Sequence, residues 1–161
     1  MNKITSIVLT GICLIVPVLA QQSGQSQGLL TEDYSTAHAN VSFAPLHIYI
    51  DAGNKSIAAY QFELKATTGQ IEIVGVEGGS HEAFKEAPYY DKTALFNEDR
   101  IIIAAFSTGG NLPKGRTRIA TIHLQITGNA EPEYELKLVV AGDADGKEIP
   151  AEITFEKGEI E

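Results

Sequence analysis

The chain has 161 residues, with 21 Asp and Glu against 12 Lys and Arg, and a length that supports one ordinary domain. The formal charge of −9 argues against nucleic acid or an anionic membrane surface as partner, because phosphate contacts need clustered Lys and Arg. A single Cys excludes an intramolecular disulfide framework and a cysteine-based metal cluster.

Residues 1–20 read as a secretory signal peptide. Lys3 gives a positive start, Ile4 to Val16 is a mostly apolar run, and Val18 and Ala20 supply the small residues before a cut. The run is shorter than the roughly 20 apolar residues a bilayer span needs, and a Gln-rich stretch follows it. Cleavage after Ala20 removes Cys13 and Lys3, leaving 141 residues, no Cys and a charge of −10. The expected location is secreted, periplasmic or cell-surface, and the short Lys-led signal is bacterial in style. Residues 21–39 begin with a polar Gln/Ser/Gly stretch that has little to bury, so a flexible segment is expected there.

From residue 40 to 157 the pattern is strand after strand. Leu46, Ile48 and Ile50 alternate with His47, Tyr49 and Asp51. Tyr60, Phe62 and Leu64 alternate with Gln61, Glu63 and Lys65. Ala120, Ile122, Leu124 and Ile126 form a third set, then Tyr134, Leu136, Leu138 and Val140, then Ile153 and Phe155. Ile71–Val76 lacks clean alternation. Ile101–Phe106 is apolar throughout and reads as a strand covered on both faces. Breakers such as Gly53-Asn54, Gly69, Gly78-Gly79, Gly109-Gly110 and Gly128-Asn129 separate the runs. The fold class expected is all-β, an antiparallel β-sandwich or jelly roll of about seven to nine strands. The longest irregular insert, 80–97, has room for one helical turn. Residues 158–161 form a short tail.

Residues that carry chemistry are sparse. His38, His47, His81 and His123 have no metal-ligand spacing, and His47 and His123 fall on polar strand faces. Gly78-Gly79-Ser80-His81 lacks the second glycine of a hydrolase elbow. No two acids are marked as a catalytic pair for glycoside hydrolysis. Asp143-Ala144-Asp145-Gly146 opens like a calcium loop, but its twelfth position is Thr154, so a hairpin turn is the better reading. Lys114, Arg116 and Arg118 fall on one face of a strand. Tyr89-Tyr90 follows Pro88; exposed together, such a pair stacks on sugar rings or anchors an interface, and folded back it packs as a plug over the sandwich edge. No catalytic residue, cofactor or metal is expected.

Several segments in order resemble the cohesin domain family. Ile57-Ala58-Ala59-Tyr60-Gln61-Phe62-Glu63-Leu64-Lys65 is similar to its Gln-Phe strand, and Ile71–Gly79 to the strand that follows. Arg100–Ser107 is similar to its Ile-rich central strand and Ile119–Leu124 to its Ala-Thr-Ile strand. Asp143–Ile149 with Ile153 looks like its closing hairpin. The resemblance covers about residues 40–157. It departs at Ala66-Thr67-Thr68-Gly69, where the family carries an Asp, and at the insert Pro88–Asp91.

The resemblance implies a jelly-roll module that binds and does not catalyse. Its partner would be a protein, dockerin-like or of the cell envelope, held on a flat sheet face. That face maps onto Ala59, Gln61, Glu63, Glu135 and Lys137. The alternative it implies is a polysaccharide stacked on aromatics, with Tyr89 and Tyr90 as the candidates.

Overall fold

The computed structural model describes residues 40–91 and 99–159. The expected signal peptide, the segment 21–39, Cys13 and His38 lie outside them.

Eight strands follow in chain order: β1 (Val41–Asp51), β2 (Ala59–Thr68), β3 (Gln70–Gly78), β4 (Tyr89–Tyr90), β5 (Arg100–Phe106), β6 (Arg116–Thr127), β7 (Glu133–Gly142) and β8 (Glu152–Lys157). They form two four-stranded antiparallel sheets, ordered β3-β6-β1-β8 and β4-β5-β2-β7. The chain changes sheet at every connection except β4 to β5, so the ladders are built almost wholly from distant segments. The all-β sandwich and its strand number are those the alternation predicts.

Period-two alternation places the core. Leu46, Ile48 and Ile50 on β1 face Tyr60, Phe62 and Leu64 on β2 across the interior, all at most 2 % exposed. Ile101, Ile103, Ile122 and Leu124 complete a layer closed to water. The insert after β3 supplies a plug. A short 3-10 helix, Glu82–Phe84, is capped by His81, whose Nδ1 accepts the Ala83 N–H at 3.2 Å. It drives Phe84 into the core, edge-on to Tyr60 at 5.0 Å. The Tyr60 hydroxyl donates to the Ile119 carbonyl at 3.0 Å, and burial pushes its pKa well up.

Two glycines are required by their surroundings. Gly69 carries the chain from one sheet to the other at φ +80°, a conformation that side chains disfavour. A Cβ on Gly79 would lie 2.1 Å from the Arg118 carbonyl oxygen, so only glycine admits that approach of β3's end to β6.

Several expectations need correction. The register shifts between Gln61 and Phe62 on the β2–β7 ladder, so Val140 pairs with Gln61 and turns outward, 38 % exposed, while Ala141 takes the inward place. A similar shift at Ile73/Gly75 explains the broken alternation of β3. The Ile-rich strand β5 is not covered on both faces: Ile101 and Ile103 are sealed, but Phe106 is 78 % exposed. The Asp143–Gly146 hairpin is local. Asp143 Oδ1 accepts from the N–H groups of Asp145 and Lys147, and Ile149 N–H still bonds Ala141 O. Pro150 then follows, and β8 joins the opposite sheet.

Candidate functional site

The site is the outer face of the β4-β5-β2-β7 sheet. Burial of Tyr60, Phe62 and Leu64 forces Ala59, Gln61, Glu63 and Lys65 to the other side of β2. Register then fixes their neighbours. Ala59 lies opposite Phe106 and Gly142, and Gln61 opposite Ala104 and Val140. Glu63 lies opposite Ile102 and Lys137, and Lys65 opposite Arg100 and Glu135. The five residues implied by the family resemblance therefore share one face.

That face has two halves. At one end are charges: Glu63, Lys65, Arg100, Glu135 and Lys137. Glu63–Lys137 and Lys65–Glu135 are opposite-charge pairs across the ladder, an arrangement that favours this register. Lys65 and Arg100 face each other with like charge, but Arg100 is drawn onto Glu63 instead. Its Nε donates to Oε1 at 2.9 Å and its Nη2 to Oε2 at 2.8 Å, a two-pronged bond. That bond holds the Glu63 carboxyl below its ordinary value. Desolvation opposes it, and the charges of Arg100, Lys137 and Lys65 add to it.

The other end is apolar. Phe106 is 78 % exposed and Tyr89 is 75 % exposed. Tyr89 pairs with Ala104, two residues from Phe106 on the neighbouring strand, so both rings rise from the same face. Val139 and Val140, exposed by the bulge on β7, extend this end across the sheet.

Tyr89 and Tyr90 do not form a pair. Adjacent on a strand, they point to opposite faces, and Tyr90 packs inward against the core. The sugar-stacking platform expected of the two tyrosines is not there. The second exposed ring on this face is Phe106, on the neighbouring strand. Sequence reasoning passed over Phe106, Arg100 and Val139; in an all-apolar run such as 101–106, parity does not say which set faces water.

Several of the remaining candidates are engaged locally, while the Arg118 Nε is buried without a hydrogen-bond partner among the described residues. Arg116 and Arg118 start β6 on the outer face of the other sheet, while Lys114 precedes the strand at the Gly115 turn. Arg116 donates to Glu156 at 2.7 Å and lies 3.7 Å above the Tyr49 ring, so it is not a free cation. His47 Nδ1 is 3.2 Å from the Thr121 hydroxyl, and His123 Nε2 is 3.2 Å from Glu77 Oε1. Among the described residues, no group of three or more His, Cys, Asp or Glu side chains is placed to hold a metal ion. No described helix is long and apolar enough to cross a membrane.

No family model and no curated protein matches the chain. Solved structures do. A chain of the CaDoc0917–CaCohA2 complex superposes with a TM-score of 0.54 at 12% identity, over 67% of this chain and 82% of that one. A non-cellulosomal cohesin from the hyperthermophilic archaeon Archaeoglobus fulgidus gives 0.51 at 14% identity, over 67% and 72% of the respective chains. Identities this low speak for architecture alone: the two sheets and their crossing connections make a cohesin-like β-sandwich.

Proposed function

We propose that this chain is an exported, non-catalytic module that holds a protein partner on the outer face of the β4-β5-β2-β7 sheet, at or outside the cell surface. The observation that carries the reading is the pair of exposed rings, Tyr89 and Phe106, beside Val139 and Val140 on one sheet face. Exposed aromatics next to a charged rim are the usual anatomy of a protein-binding patch, with the rings as anchors and the charges setting orientation. A solved chain of similar fold was crystallised in a complex with a partner. The partner class is a dockerin-like or envelope protein whose docking surface is itself apolar at one end and charged at the other. The signal-like residues 1–20 support export.

The test is capture followed by mutation. The immobilised protein is exposed to the secreted and envelope fractions of its source, and retained proteins are identified. Loss of one specific protein on Phe106→Ser and on Glu63→Arg, with retention on Arg116→Ala, supports the reading. Equal retention by all three variants removes this face from consideration.

A polysaccharide ligand is the second reading, favoured by the placement of Tyr89 and Phe106 on one face. Retention of a glycan that is lost on both Tyr89→Ala and Phe106→Ala would replace the first.

A further inference from the structure

Among the described residues, four strands stand at sheet edges, and β7 is the longest of them. It pairs with β2 on one side. On the other side only its last residues are covered, by the chain's own return: Ile149 N–H donates to the Ala141 carbonyl and Asp143 N–H to the Lys147 carbonyl, both at 2.9 Å. From Glu133 to Val140 that second side has no strand among the described residues, so alternate residues turn their backbone N–H and C=O groups to an open edge. The core is also less well sealed here. Phe62 and Leu64 on β2 are at most 1 % exposed, whereas Tyr134, Leu136 and Leu138, facing the same interior from β7, are only partly buried.

The charges of β7 match a second copy of β7. On its outer face, Glu135 lies opposite Lys65 and Lys137 opposite Glu63 on the β2 side. A second β7, laid antiparallel along the open edge with Leu136 opposite its own copy, brings Glu135 opposite Lys137 of the second copy, and the reverse by symmetry. Two equivalent rows of charge then cross both molecules with alternating sign, each running Lys65, Glu135, then Lys137 and Glu63 of the second copy. Tyr134 falls opposite Leu138 on the inner face, so apolar neighbours meet there. Moving the centre by one residue, to Glu135 or to Lys137, sets like charges directly opposite each other, which disfavours those registers.

We propose that this chain forms a twofold dimer by antiparallel pairing of β7 with β7 of a second copy, centred on Leu136, so that two four-stranded sheets become one of eight strands. The pairing removes the open edge and covers Tyr134, Leu136 and Leu138. Residues directly opposite share a face, so the two outer faces point the same way. If the function proposed above holds, the dimer offers a partner two sites at once. The pairing itself does not depend on that function and is tested with no partner present.

The test is sedimentation equilibrium of the full chain over a concentration series, with a melting curve of each variant to confirm folding. The parent is expected to dimerise, with a Tm that rises with concentration. Glu135→Lys and Lys137→Glu each place two like-charge pairs in the interface, and each is expected to weaken the dimer about tenfold or more. Glu135→Lys combined with Lys137→Glu restores opposite signs across the interface, and is expected to bring the affinity back to within about threefold of the parent. Arg116→Ala, on the other sheet, is expected to leave dimerisation unchanged. A parent that stays monomeric at the highest concentration overturns the proposal. So does a dimer that neither single reversal weakens, or one that Arg116→Ala weakens as much. A double variant that folds like the parent but stays as monomeric as the single variants overturns it too, since residues 135 and 137 then do not meet across the interface.

Discussion

The two outer faces of the sandwich treat their polar groups differently. On the β3-β6-β1-β8 sheet, the long side chains are engaged with each other. Arg116 bonds Glu156 and covers Tyr49, His47 meets Thr121, His123 meets Glu77, and Gln125 reaches Glu72 at 3.5 Å. Its exposed apolar residues, Val41, Phe43 and Val74, are about half covered and lie toward one end. On the β4-β5-β2-β7 sheet, charges pair at one end, while two rings more than 70 % exposed are left open at the other. Both sheets seal the same core, so stability alone does not ask for this asymmetry. A ring left in water adds little to folding, and exposed apolar groups gathered on one face mark interaction sites.

The sharpest way to break the comparison is to exchange the inside of the second sheet for its outside. Phe62 and Phe106 are both phenylalanines of one sheet, 0 % and 78 % exposed. Phe62→Ala is expected to cost about 3–5 kcal/mol, through lost burial plus the cavity left behind. An unchanged Tm would refute the assignment of β2's inner face. Phe106→Ser is expected to leave the Tm within about 1 °C of the parent while weakening an identified partner tenfold or more, as loss of an anchoring aromatic does. A Tm that falls as far as that of Phe62→Ala would show that Phe106 is structural.

A smaller effect sharpens the contrast between the faces. Glu63→Arg is expected to leave unfolding almost unchanged yet slow partner association, because it turns a paired rim charge into a clash with Arg100. Arg116→Ala on the other sheet is expected to alter neither. Stopped-flow association at two salt concentrations separates the two, since only the first variant should change the salt dependence.

Much of this was legible in the residues, and the limits are physical. The inward sets of β1 and β2 were plain because apolar and polar residues alternate strictly, and the same alternation exposed Ala59, Gln61 and Glu63. Glu135 and Lys137 followed from β7 by the same rule. The failures lie where alternation carries no signal or is interrupted. In Ile101–Phe106 both parities are apolar, so the exposed ring at position 106 was hidden in what looked like core. A one-residue bulge on β7 reversed Val140, and nothing in Leu138-Val139-Val140 marks where a bulge falls. Tyr89 and Tyr90 are adjacent in sequence, and strand geometry sends such neighbours to opposite faces, so one is exposed and the other packs. The open edge of β7 was invisible from sequence, since it depends on the order of strands in the sheet.

The last test uses acid to ask whether the charged end of the face is organised before a partner arrives. The bond from Arg100 holds the Glu63 carboxyl below the ordinary glutamate value of 4.5. A carboxyl lowered by folding contributes stability that is fully present above 4.5 and is lost as pH falls through its lower folded value. The pair is largely open to water, so its contribution is small, as for surface ion pairs in general. Glu63→Gln should therefore slightly lower the Tm at neutral pH, and the difference should shrink as pH falls through the lowered value of Glu63. The two melting curves converge as acid is added. Had burial instead raised the Glu63 carboxyl, the curves would still converge in acid, but at neutral pH the parent would be the less stable of the two. A parent that is the more stable at neutral pH and loses that advantage on acidification thus reports that Arg100 orients this carboxylate, giving the charged end of the face a fixed pattern in the free molecule.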